Sequence, residues 1–229
     1  MNEGAAAGSS SEALFTSSDG GHSWKFVSRT DTTGRAPHLL PFGCDKNGFG
    51  FATAQRGWAG AFCAGGRPFF YRTNDGGHTW RQQAFAAPQQ CVCETSAPRF
   101  LTRRDGVLYV TGFTANGGGK PFTRLYWTKD GGEHWKGSGP SVGRTARIVF
   151  SDEKTVWLTA QKPGDLRAPF NQLVRTTNAG ASWQTTKLHF DASNYLLDPI
   201  SGATAFALAP TTFLTRSSSR VTAVEAGRR

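Results

Sequence analysis

Short apolar runs alternate with polar, glycine-rich breaks along most of the chain, and no stretch keeps the spacing of a helical face. Residues 147–160 show the grammar: RIVF reads as a strand, SDEK as a turn and TVWLTA as the next strand. The same pairing recurs. Runs at 48–52, 98–101, 146–150 and 195–197 each precede a second run built around a large aromatic, Trp58, Tyr109, Trp157 and Phe206. Those aromatics stand 51, 48 and 49 residues apart. A third strand is expected at 69–72, 124–127 and 172–175, and a fourth begins at the tryptophan that follows each. The pattern predicts an all-β chain built from a repeated four-strand unit, with strands A to D.

A motif fills the turn between the third and fourth strands. It reads SSDGGHSW at 17–24, TNDGGHTW at 73–80, TKDGGEHW at 128–135 and TTNAGASW at 176–183. Asp19, Asp75, Asp130 and Asn178 share one position, Gly21, Gly77, Gly132 and Gly180 another, and Trp24, Trp80, Trp135 and Trp183 a third. A carboxylate here accepts hydrogen bonds from nearby backbone N–H groups and closes the turn. Glycine supplies the positive φ, and the indole covers the hairpin. Four-stranded antiparallel units repeated around an axis make a β-propeller. A stack of β-coils is the alternative, but its repeats are typically shorter. The first repeat supplies only strands C and D (13–15 and 24–27). Three full blades follow, and a degenerate last one runs through 205–208, 212–215 and 221–224. This gives about five blades, or part of a six- or seven-blade protein. The propeller domain spans 12–225, between a flexible segment 1–11 and a tail 226–229.

The octads resemble the Asp-box, or BNR repeat, of sialidases, sortilin-type receptors and many bacterial propellers. GWAG followed by RTNDGGHTW is similar to the blade pattern of photosystem II stability/assembly-factor-like propellers. The resemblance covers residues 13–183 and implies the propeller fold. It leaves function open, because Asp-box propellers do many things. Two readings follow from it: a non-catalytic protein- or glycan-binding or assembly module, and a degenerate or fragmentary exo-glycosidase of sialidase type.

Composition narrows these readings. The chain has 229 residues, 26 Lys+Arg against 16 Asp+Glu, and a net charge of +10. No apolar run approaches the roughly 20 residues of a membrane-spanning helix, so no transmembrane segment is expected. The basic residues form no block and accompany no recognisable motif, so no nucleic-acid partner is expected. In a blade of this kind the A–B and C–D turns share one end. The B–C loops and D-to-A connections (28–45, 63–68, 86–97, 113–121, 136–144, 161–169 and 187–193) share the other. That loop face carries ten basic residues against five acidic ones. It is the expected site for a protein or an anionic glycan on a monomeric chain. Arg56, Arg99, Arg103, Arg144, Arg147 and Arg167 are the candidate binding residues.

Cys44, Cys63, Cys91 and Cys93 all fall on the same face. Cys44 begins a strand A and Cys63 ends the neighbouring strand B, which suits a disulfide. Cys91 and Cys93 can pair with each other through a tight ring, or pair as 44–91 or 44–93. A tetrathiolate zinc site is the alternative, although the usual C-x₂-C knuckles are absent. Disulfides point to a secreted or cell-envelope protein, and residues 1–11 lack the charged and apolar regions of a signal peptide. No metal and no cofactor are expected. Catalysis lacks a constellation. The sialidase resemblance requires a tyrosine nucleophile, partner acids and an arginine cluster. Tyr71, Tyr109 and Tyr126 lie within expected strands, and Asp19, Asp75 and Asp130 are committed to turns. Glu94, Asp165 and Asp191 stand on the loop face unpaired in sequence.

Overall fold

The computed structural model describes residues 10–64, 67–86, 91–114, 119–152, 154–165 and 167–208, and every regular element among them is a β-strand. Strands β1 (Ala13–Thr16) and β2 (Lys25–Arg29) form an antiparallel pair around the first octad. The second repeat holds β3 (Asp45–Phe51), β4 (Gly57–Cys63), β5 (Phe70–Thr73) and β6 (Arg81–Gln82), hydrogen-bonded in that order. After β7 (Cys91–Thr95), the third repeat holds β8 (Arg99–Phe100), β9 (Gly106–Thr114), β10 (Pro121–Thr128) and β11 (Lys136–Val142). The fourth is a four-stranded sheet of β12 (Thr145–Phe150), β13 (Val156–Ala160), β14 (Gln172–Thr176) and β15 (Gln184–Lys187). Finally β16 (Leu196–Pro199) pairs with β17 (Ala205–Leu208), and the strands expected at 212–215 and 221–224 lie outside the described residues. The chain divides into two compact units. One contains the described residues up to Gly119 with Leu125–Gly137, the other Lys120–Arg124 with the described residues from Ser138 onward.

Strand β7 corrects the sequence reading, which made 86–97 a connecting loop. It pairs antiparallel with β4, setting Phe62 opposite Glu94 and Cys63 opposite Cys93. It also pairs with β9 from Cys91 opposite Thr114 to Thr95 opposite Val110. The second and third repeats therefore share one sheet, ordered β11-β10-β9-β7-β4-β5-β6. The cause is local: CVCET alternates, with Cys91, Cys93 and Thr95 buried and Val92 and Glu94 only half-buried. A two-residue period fits a strand with one face in the core, and pairing on both sides satisfies backbone groups that a loop would leave to solvent.

The core of the first unit is an aromatic chain. Trp58 stacks on Phe100 at 4.8 Å and meets Trp135 edge-on at 6.3 Å. Phe70 touches both Trp135 and Phe85, and Phe85 meets Tyr126 at 4.9 Å. Each such ring removes roughly 150–250 Å² from water, and edge-to-face contacts add about 0.5–1.5 kcal/mol per pair. In the second unit Val156, Trp157, Leu158 and Ala160 of β13 and Val174 of β14 are buried. Of the four landmark aromatics Trp58 and Trp157 are buried and Tyr109 half-buried, whereas Phe206 is 65% exposed.

The A–B and C–D turns do share one end of each repeat, through a recurring hydrogen bond. The fourth residue of the octad donates its N–H to the A–B turn: Gly76 to Gln55 at 2.8 Å, Gly131 to Arg104 at 2.8 Å, and Ala179 to Lys154 at 2.9 Å. That residue adopts a left-handed conformation, with φ of 74° and 73° at the two glycines and 54° at Ala179. A Cβ in this region costs about 1–2 kcal/mol, partly offset by the greater freedom glycine has when unfolded. Ala179→Gly is accordingly expected to stabilise the chain by about 0.5–1 kcal/mol in a urea titration. The fifth octad residue is constrained by neighbours as well. A Cβ on Gly132 would lie 2.2 Å from Trp58 Cζ2, while one on Gly20, a fourth octad residue, would meet nothing within 4 Å. Gly132→Ala should therefore cost about 2–3 kcal/mol and Gly20→Ala about 1 kcal/mol, read from the same titration.

Candidate functional site

Each octad folds on its own side chains. Thr73 donates its hydroxyl to Asp75 Oδ1 at 2.8 Å and accepts the N–H of Gly77 at 2.8 Å. Asp75 then accepts the N–H and the hydroxyl of Thr79, at 2.9 and 2.6 Å. Ser17, Asp19, Gly21 and Ser23 repeat these bonds. So do Thr128, Asp130, Gly132 and His134, with Nδ1 of His134 replacing the hydroxyl at 2.8 Å from Asp130 Oδ2. In the fourth octad Asn178 Oδ1 accepts from Ser182 N at 2.8 Å and its Nδ2 donates to Ser182 Oγ at 2.8 Å. The seventh residue is thus part of the motif, as partner to the second carboxylate oxygen. The sequence signal was there, in Ser23, Thr79, His134 and Ser182, but its varied chemistry hides it.

These bonds set the charges. The Ser23 hydroxyl, then its N–H and the Ser17 hydroxyl, hold the Asp19 carboxyl down at about 2. Burial pushes Asp75 up, but the hydroxyl and N–H of Thr79 with the Thr73 hydroxyl outweigh it and leave about 2. The His134 N–H holds Asp130 well below the ordinary carboxylate range. All three are anionic at neutral pH and serve the turn, so proton transfer to a substrate is not their task.

The second and third octads also dock on the repeat before them. The Ser28 hydroxyl donates to Gly77 O at 2.6 Å, and Gln83 Nε2 to Gly132 O at 2.7 Å. Gln83 in turn accepts the Trp58 indole N–H at 2.7 Å. Trp80 and Trp183 donate to the carbonyls of Gly77 and Gly180. Trp135 is buried without a hydrogen-bond partner among the described residues. Trp24, expected to cover its hairpin, is 64% exposed.

Two arginines that sequence reasoning passed over latch repeats together. Arg72 lies opposite Trp58 in the β4–β5 ladder, with its guanidinium 5.7 Å from the indole. It reaches Glu133 of the next octad through two bonds of 2.5 and 2.6 Å, which lower the Glu133 carboxyl. Arg175 lies opposite Trp157, sits 5.1 Å from its ring, and donates to the Gly202 carbonyl and the Gln184 amide oxygen. An arginine one residue before the octad, facing the strand-B tryptophan, is the missed signal. Arg72, Asn74, Thr79, Arg81, Gln82, Gln83 and Ala84 line an open groove of about 520 Å³. Arg72 holds Asn74 and Glu133, Thr79 holds Asp75, and Gln83 bonds Trp58 and the Gly132 carbonyl.

Of the candidate binding arginines, Arg56 donates to Gly131 O at 3.2 Å and lies 3.9 Å from Glu133. It is bound into the following octad, while Arg99 and Arg103 stand exposed at β8 and just beyond it. In the second unit Arg144 lies over Phe170 at 5.9 Å, and Arg147 donates to the Tyr195 carbonyl at 3.3 Å. Arg167 is exposed in the 161–171 loop between β13 and β14. That loop folds back: Gln161 N donates to Arg144 O at 2.8 Å, and Gln161 Nε2 to Ala168 O at 2.6 Å. The next connection joins it through Leu188 N to Asn171 O and Ala192 N to Phe170 O. Arg144, Lys162, Arg167 and Lys187 are exposed around this knot. Its two acids accept backbone bonds, Asp165 from Arg167 N and Asp191 from Ser193 N.

In the first unit Cys44 is joined to Cys63 and Cys91 to Cys93. Beside them Lys46 donates Nζ to the carbonyls of Ser10, Phe42, Gly43 and Cys44 at 2.7–3.1 Å. Among the described residues no group of three or more metal-ligating side chains is available. Glu94 is half-buried, and burial raises its carboxyl. Burial first, then the Glu94 charge, raise the Tyr109 phenol. A phenol so placed resists ionisation, which works against its use as a nucleophile.

No family model matches the chain, and no curated protein matches it. Among solved structures, YCF48 bound to D1 peptide aligns over 72% of this chain and 90% of that one, at 13% identity and a TM-score of 0.24. YCF48 from Cyanidioschyzon merolae aligns over 85% of this chain and 73% of that one, at 12% identity and a TM-score of 0.29. Neither likeness reaches the level at which it bears on fold or function.

The octads yield a pH prediction. A carboxyl lowered from its usual 3.8 to about 2 on folding lends its stabilisation fully above about 4. The contribution is lost as the pH falls through about 2, because the unfolded chain takes up protons first. Asn178 has no such proton to gain. Amide exchange followed from pH 5 to 2, corrected for its intrinsic pH dependence, should show the Ser23 and Thr79 amides losing protection. The Ser182 amide keeps its protection over the same range.

Proposed function

We propose that this chain is a non-catalytic β-propeller of about five blades that acts as a binding or assembly module. It is exported to the cell envelope or beyond and binds, as a monomer, an anionic face of a protein or an anionic glycan. The observation that carries the reading is the loop knot of the second unit. Arg144, Lys162, Arg167 and Lys187 stand exposed there with no ion pair among the described residues, while Asp165 and Asp191 are held in turns. Basic side chains left unpaired on a hydrogen-bonded frame favour an anionic partner and speed its encounter. The octads support the non-catalytic part of the reading, since their carboxylates are spent on turns.

The test is retention on a heparin column and on an immobilised acidic peptide across a salt gradient. Lys162→Glu with Arg167→Glu should elute at clearly lower salt than the parent, with unchanged urea midpoint. Equal elution of parent and double variant on both columns would exclude this surface as the binding site. Retention on heparin alone assigns a glycan, and on the peptide alone a protein.

A further inference from the structure

Three cysteines stand in a row across the strands of the first unit. Asp45 pairs with Phe62 in the β3–β4 ladder, so the same register carries Cys44 to Cys63. On the far side of β4, Cys63 is directly opposed to Cys93 of β7. Cys63 therefore lies one strand spacing from each neighbour. It is bonded to Cys44, with a Cα separation of 4.7 Å. Opposed residues of an antiparallel pair stand about 4.5–5.5 Å apart at Cα and point to the same face. A disulfide spans about 4.4–6.8 Å between Cα atoms, so Cys93 is within bonding reach of Cys63 as well. Cys93 is instead joined to Cys91, two residues back on its own strand. Strand β9 closes the other side of Cys93. A Cβ on Gly112 would lie 2.6 Å from the Cys93 Cα and 2.2 Å from the Val92 carbonyl oxygen. Access is graded along the row: Cys63, Cys91 and Cys93 are 2% exposed or less, whereas Cys44 is only partly buried. Cys44 also has a φ of 68°, in the left-handed region that residues with a Cβ rarely adopt. The Lys46 ammonium donates to the Cys44 carbonyl at 3.1 Å.

We propose that this row is a thiol–disulfide relay entered at Cys44, through which a dithiol moves the bond of Cys63 from Cys44 to Cys93. One thiolate of the dithiol attacks the sulfur of Cys44, the least buried of the four cysteines. The Cys44–Cys63 bond breaks, a mixed disulfide forms, and the electron pair leaves on Cys63. The Cys63 thiolate then attacks its cross-strand neighbour Cys93. The Cys63–Cys93 bond forms and Cys91 leaves as a thiolate. The second thiolate of the dithiol attacks the reagent sulfur of the mixed disulfide, so the reagent closes as a disulfide and Cys44 leaves. Two electrons pass from the dithiol to the chain, and its two protons end on Cys44 and Cys91. The neighbouring Lys46 cation favours departure of Cys44 as a thiolate. Two features set the direction. Cys44 is released from the bond that fixes its left-handed backbone, and Cys63 keeps a partner within the core. One reduction thus shifts a covalent clip from the β3–β4 seam to the β4–β7 seam. It leaves at Cys44 a thiol open to exchange with the disulfide of a partner protein.

The experiment treats the full oxidised chain with one equivalent of dithiothreitol and traps the thiols in acid with N-ethylmaleimide. Cleavage after lysine and arginine in denaturant separates Cys44, Cys63 and the Cys91/Cys93 peptide, and fragment masses place each label. The chain with two thiols should be labelled at Cys44 and Cys91 and hold a Cys63–Cys93 link. Any other pair of labels, or passage to four thiols with no two-thiol chain on the way, overturns the relay. Cys91→Ser tests the central step without reductant. Its oxidised form should hold Cys63–Cys93 and react with maleimide at Cys44 under native conditions. A Cys91→Ser chain that keeps Cys44–Cys63, with its remaining thiol on Cys93, overturns the relay as well.

Discussion

At each of the four octad turns a hydroxyl, a carboxylate or amide, and two backbone N–H groups satisfy one another within eight residues. The rest of the architecture depends on this closure. A hairpin tip has backbone donors that no strand ladder reaches, and in each octad the side chains take them up. With its donors taken up within the octad and by the A–B turn, the tip leaves its carbonyls to act as docking points. The carbonyls of Gly77 and Gly132 then receive Ser28 and Gln83 from the preceding repeat. Gly132 lets Trp58 lie against the backbone, and Trp58 anchors the aromatic chain through Phe100 and Trp135. Removing the closure would release the platform first and the seam next.

Much of this was legible in the sequence, because octad, landmark aromatic and strand order are all local signals. The four repeated strands fall where apolar alternation put them, and the shared end of the A–B and C–D turns follows from hairpin geometry. Three features were not legible. Strand β7 was masked by its two cysteines, which drew attention as redox groups rather than as alternate buried positions. Arg72 and Arg175 gain meaning only from the ladder that sets them opposite Trp58 and Trp157. Arg56 looked like a free cation, because nothing local reveals its bond to Gly131, 75 residues away.

The two ends of a repeat obey different physics. At the turn end the octad carboxylates and hydroxyls have partners, and Arg56, Arg72 and Arg175 bridge repeats. The loop end of the second unit is tied by backbone bonds, and Lys162, Arg167 and Lys187 stand exposed on it. A surface whose frame is held by the main chain can change its side chains at little structural cost, so recognition can vary there while the scaffold does not.

Asn178 closes its turn with the bonds of the aspartates, but its amide nitrogen donates to Ser182 where they accept a hydroxyl proton. Spontaneous hydrolysis of that amide would produce an aspartate, and a rotation of the Ser182 hydroxyl restores the bond in the opposite sense. The usual cyclisation route also needs the following nitrogen to attack the side chain, and Ala179 N is held by Lys154 O. The fourth octad is thereby protected twice against chemical ageing. The reaction is slowed by the turn, and its direct product is the residue that the other three repeats already use.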